Sequence, residues 1–139
     1  MAKNTKKFNV SAAQIGDVIP SGTIVYKKVR GPTEDAILTG VVTRAGIVTD
    51  AGAMDKNRVR AIMPVSIRAW NQDNRTWDGD WLDSAKSTPD GITRRGKHPD
   101  GITYVVGERV SSGAFDTTTQ QCSTGIHVYL TRAGAEAHY

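Results

Sequence analysis

The stretch "RVRAIMPVSIRAW", residues 58–70, constrains the fold more than any other part of the chain. Val59, Ala61, Met63, Val65, Ile67 and Ala69 take alternate positions, and Arg58, Arg60, Ser66 and Arg68 fall between them, with Ile62 the exception. A period of two marks an extended strand with one apolar face and one polar face. Pro64 lies on the polar face and has no amide hydrogen to give a sheet, so a β-bulge or a sheet edge is expected there.

Other segments read the same way. In "TIVYKKVR", Ile24, Tyr26 and Lys28 alternate with Val25, Lys27 and Val29. "AILTGVVTRAGIVTD" is rich in β-branched residues and broken by Gly40 and Gly46, which predicts two short strands joined by a turn. "YVVGERV" predicts another strand. "GIHVYL" predicts the last, with Ile126, Val128 and Leu130 on the apolar face and Gly125, His127 and Tyr129 on the other. Thr131 is a candidate N-cap for a short helix over "RAGAEAHY". Near the start, Ser11 is a candidate cap for a short turn that Pro20 and Gly22 bring to an end.

The expected class is therefore mainly β, or α+β with little helix: a single compact domain over 10–139, with about six strands and a short C-terminal helix. Residues 1–9, "MAKNTKKFN", read as a polar basic tail. Residues 71–101 form a long insert rich in Trp, Gly and Asp, with Trp77, Trp81, Leu82 and Ile92 as its candidate anchors. It starts a near-repeat, "PDGITRRGKH" followed by "PDGITYVVGE", which predicts two Pro-Asp-Gly turns, each leading into extended chain. A loop of that length inside a compact domain is expected to be functional or held by a partner.

Candidate sites are few. Cys122, His127 and His138 stand close in sequence, but a metal needs three or four ligands in closed geometry and no second Cys-His pair accompanies them, so no metal is expected. Cys122 has no evident base or orienting group for catalysis. A phosphate-cradling glycine loop, metalloprotease spacing and a nucleophile elbow are all missing from the sequence. The chain is accordingly read as a non-enzyme that takes no cofactor.

Trp70, Trp77 and Trp81 are the interaction candidates, because they stand among Asp73, Asp78, Asp80 and Asp83. Flat apolar faces mixed with carboxylates suit a sugar, a base or a protein partner; the plainer reading is that the indoles cover the core under the loop. Arg58, Arg60 and Arg68, outward on one strand, are the candidate anion contacts. The net charge of +4 permits attraction to nucleic acid without implying it. One cysteine leaves no internal disulfide, and no run reaches the ~20 apolar residues of a membrane span, so no membrane partner is expected.

Taken together, "KNRVRAIMPVSIRAW", "YVVGERV", "FD", "CSTGIHVYLT" and "AGAEAHY" resemble a domain of unknown function found in phages and in bacterial proteins that carry pentapeptide repeats. The likeness runs from about Tyr26 to Tyr139, and its specific elements are Tyr104, Gly107, Val110, Phe115, Asp116, Cys122, Gly125, Ile126, His127 and Tyr139. The resemblance implies a phage origin and a compact β-rich domain, and brings no activity with it. The long insert departs from that pattern. The expectation is a phage-encoded binding protein, a virion accessory or capsid decoration component whose partners are other virion proteins or copies of itself. The alternative is a soluble protein of the host cytoplasm that counters host defence by sequestering a nucleotide signal or a host protein.

Overall fold

The computed structural model describes residues 8–49, 57–87, 102–112 and 125–137. Among the described residues, eight strands form one antiparallel, curled sheet: β1 Val18–Ile19, β2 Ile24–Arg30, β3 Asp35–Ile47, β4 Asn57–Ala69, β5 Ser84–Ser87, β6 Thr103–Val105, β7 Val110–Ser111 and β8 Ile126–Val128. One helix, α1 Arg132–Ala137, follows. The fold is mainly β and forms a single domain, as the alternation in the sequence indicates.

Long strands β2, β3 and β4 make a meander, and short segments cover both of its outer edges. Along β4, β8 pairs with Asn57, Arg58 and Val59, and β7 with Ala61 and Ile62. Further along, the Gly107 amide donates to the Pro64 carbonyl at 2.9 Å, and the Leu82 amide donates to Ile67 O at 2.9 Å. Along β2, β5 pairs with Val29 and Arg30. Tyr26 and Tyr129 then exchange both backbone hydrogen bonds, at 2.8 and 2.7 Å. The chain leaving β8 therefore runs from the edge of β4 to the edge of β2, and the sheet closes on itself there. Covering the edges of long strands with short segments is one way a sheet avoids pairing with another chain.

Two irregularities set the curl. Thr39 pairs with Ser66 and Gly40 with Pro64, so Val65 is an extra residue in β4. Val42 pairs with Ile62 and Arg44 with Ala61, so Thr43 is an extra residue in β3. Pro64 thus sits at a bulge, as its missing amide hydrogen requires, though inside a covered strand and not at an edge. A bulge also exchanges the two faces of a strand. Strict alternation placed Met63 and Val65 in the core and Ile62 outside. Val65 is instead 52% exposed and Met63 half-buried, while Ile62 is fully buried in the main core.

Other sequence expectations are corrected here. The segment read as two short strands is the single strand β3, and its glycines are points of close approach. A β-carbon at Gly46 would collide with the Arg58 carbonyl and stand 2.5 Å from Val59 Cα. "YVVGERV" is split into β6 and β7 by a turn in which Gly107 takes φ 87°, a region glycine enters without a steric penalty. The first turn, Val10–Ala12, is capped by Asn9 in place of Ser11: Asn9 Oδ1 accepts the Ser11 amide at 3.1 Å. Of the insert, residues 71–87 are ordered by bridges Asn71↔Thr76 and Arg68↔Trp81 and by β5. Both Pro-Asp-Gly turns, with Ile92, Phe115, Asp116, Cys122, His138 and Tyr139, fall outside the described residues.

Inside the curl lies the main core, including Val25, Val29, Leu38, Ile62, Ile67, Tyr104, Ile126 and Val128. Each fully buried aliphatic side chain contributes about 1.5–3 kcal/mol through its removal from water. As the alternation of "GIHVYL" predicts, Ile126, Val128 and Leu130 join this core. Tyr129 points the other way, into a second cluster with Ile37 and Ala135, against which Tyr26 and Trp77 pack. That cluster lies on the outer face of the sheet under α1. Thr131 caps α1, its Oγ1 accepting the Gly134 amide at 3.1 Å.

Candidate functional site

The register across the outer face builds the site. Lys28 pairs with Ile37, Ile37 with Arg68, and Arg68 with Trp81. Directly paired residues in a sheet put their side chains on the same face, so these four form one row across β2, β3, β4 and the segment after β4.

Loop 71–79 folds back over this row. Trp77 packs against the cluster of Ile37, Tyr129 and Ala135, with Lys28 Nζ 5.2 Å from its ring centroid. Arg132 Nη2, from α1, donates to the Trp77 carbonyl at 3.1 Å, while its Nε holds Glu136 at 2.8 Å. Trp70 meets Trp77 edge to face, with centroids 4.8 Å apart, an arrangement worth about 0.5–1.5 kcal/mol beyond the area buried. Inside the loop, Asn71 Oδ1 accepts the Asn74 amide, Arg75 takes φ 57°, and the Thr76 hydroxyl donates to Asp78. Loop 71–79 is thus a built element.

Trp81 differs from the other two tryptophans. It is 65% exposed, and the Arg68 guanidinium stacks on its ring at 4.4 Å. Arg68 is itself fixed, with Nε donating to Gly79 O at 3.1 Å and Nη2 to Asp78 O at 3.2 Å. The exposed indole therefore stands on a braced cation and has few alternative positions. Beside Trp70 a cavity of about 410 Å³ opens between the β2–β3 turn and the loop, with Pro32, Asp73, Asp80 and Leu82 on its walls. The Trp70 indole nitrogen donates to Gln72 Oε1 at 3.0 Å.

The three candidate arginines do not act together. Arg58 is fully buried, opposite His127 at the end of β4 with which β8 pairs. Arg60 is half-buried beside β7, its carbonyl accepting the Ser112 amide at 2.9 Å. Only Arg68 reaches the outer row, and there it supports Trp81. His127 is 7% exposed, and its carbonyl accepts a 2.6 Å hydrogen bond from Lys27 Nζ across the sheet closure. Among the described residues no group of three His, Cys, Asp or Glu side chains is placed to hold a metal ion. No described helix is long and apolar enough to cross a membrane.

Lys28, Ile37, Tyr129 and Arg132, which hold the tryptophans in place, are not visible as site residues in the sequence. Alternation gives the face of Lys28, but nothing local indicates that the loop returns over it. No family profile, no curated protein and no solved structure matches this chain.

Proposed function

We propose that this chain is a non-enzymatic binding protein, an accessory or decoration component of a phage virion, and that it attaches through its tryptophan face. The observation that carries this reading is Trp81: a large indole 65% exposed, yet held by an arginine that is itself doubly hydrogen-bonded. Tryptophan and arginine dominate the residues that contribute most at protein interfaces, and an anchor already held in place loses little conformational freedom on docking. Trp70 and Trp77 back the anchor, and the motif likeness to phage-borne domains supplies the context. Attachment in many copies would let each contact stay modest.

The partner is another virion protein or a second copy of this chain. The alternative is a soluble anti-defence protein that sequesters a host nucleotide signal or a host protein; nucleotide capture through Arg58, Arg60 and Arg68 draws less support, since Arg58 is buried and Arg68 is committed to Trp81. The test is quantification of the chain in purified particles. A fixed ratio to the major virion protein supports the virion reading, and absence from the particles overturns it.

A further inference from the structure

A second cavity, of about 500 Å³, opens at the other end of the β2–β3 turn, where β2 runs beside β5. Its size is that of a small-molecule pocket. Arg30 and Lys86 stand at it together with Ser84, Ser87 and Thr103, and Pro32 forms an apolar wall.

The pairing here is unusual. Arg30 is the direct register partner of Lys86, and Lys86 of Thr103, so two cations face each other across adjacent strands on one face. Like charges directly opposed in a sheet are destabilising. Little relieves them. Arg30 Nε lies 3.8 Å from Asp35 Oδ1, but both side chains are well exposed, at 63% and 44%, and such a pair is weak. Lys86 makes no ion pair among the described residues. Ser84 and Thr103, which share the face of Lys86, bring hydroxyl donors to the lining. The lining thus combines excess positive charge, hydroxyl donors and an apolar surface.

We infer that this cavity binds a small molecule bearing a phosphate monoester. The Arg30 fork and the Lys86 ammonium take the dianion, since charge-assisted and bidentate hydrogen bonds to phosphate are the strong ones. Ser84 and Thr103 hydroxyls add donors, and Pro32 meets the apolar part of the ligand. A bound dianion offsets the repulsion between the two cations, which the exposed Arg30–Asp35 pair relieves only weakly. This inference is independent of the virion reading and of the tryptophan face.

The experiment is calorimetric titration of the full chain with a nucleoside monophosphate and a sugar phosphate, each against its unphosphorylated counterpart at fixed ionic strength. Saturable binding of either phosphorylated probe, without binding of its counterpart, is the expected result, and which probe binds identifies the apolar body the cavity accepts. Arg30→Gln and Lys86→Gln should each weaken binding about tenfold, the scale of a lost charged hydrogen bond. Because both side chains are exposed and repel each other, the double variant should melt no lower than the wild type without ligand. Should the double variant fold poorly, Lys86→Gln alone provides the comparison. Binding of neither phosphorylated probe above its counterpart, or unchanged affinity in a folded variant, overturns the inference.

Discussion

Tyr26 and Tyr129 exchange two backbone hydrogen bonds, and this reciprocal pair joins the chain leaving β8 to the edge of β2. Replacing Tyr129 by proline removes one donor and leaves the Tyr26 carbonyl without its partner. The change should destabilise the protein by about 1–3 kcal/mol for the orphaned group, with further loss from the displaced Tyr129 ring. Urea unfolding measures it. Native-state hydrogen exchange of the wild type should find both tyrosine amides protected to nearly the global stability.

Gly46 and Gly22 separate two roles of glycine. A β-carbon at Gly46 strikes the backbone of β4, so Gly46→Ala should cost about 1–3 kcal/mol or more, because the two strands must part. Gly22 takes φ 95° in open space, so Gly22→Ala should cost about 1 kcal/mol through backbone conformation alone. Thermal melts of both variants would order them; equal or reversed losses would contradict the close packing at Gly46.

The bulge at Val65 reverses which side chains of β4 are tolerant. Val65→Lys should change stability by no more than about 0.5 kcal/mol, as for other exposed positions. Ile62→Ala should cost about 2–5 kcal/mol by opening a cavity in the main core. A chain following strict alternation would show the opposite order, so chemical denaturation of the two variants decides the register directly.

Trp77 and Trp81 should respond differently. Trp77 is packed on the outer cluster, so Trp77→Ala should destabilise the fold by about 2 kcal/mol, less than a fully buried indole would. Trp81→Ala should fall within about 0.5 kcal/mol of the wild type, since the ring rests mainly on Arg68 and solvent. Differential scanning calorimetry of the two variants is the check.

These contrasts also show what was legible in the sequence. Alternation in "GIHVYL" and "TIVYKKVR" located strands and faces correctly, because each strand is regular and its pattern is local. It failed in "RVRAIMPVSIRAW", where the residue opposite Val65 is missing; a bulge is a property of two paired strands and leaves only Pro64 as a trace in one of them. Gly40 and Gly46 looked like turn residues because close strand approach and turn formation select the same side chain. The tryptophans were visible as candidates, but their division into packed and exposed members depends on Trp81 pairing with Arg68, a contact set by the path of the loop. Arg58 became buried for a similarly distant reason, the return of β8 more than sixty residues later.

The central claim is that the braced, exposed Trp81 is the anchor by which the chain attaches to a particle, and it is tested most directly by incorporation of Trp81→Ala. Particles assembled with the wild type should carry the chain at a fixed ratio. Particles assembled with an equally stable Trp81→Ala chain should carry little or none. Equal incorporation of the variant would contradict the role assigned to Trp81, and absence of the wild type from particles would contradict the virion reading itself.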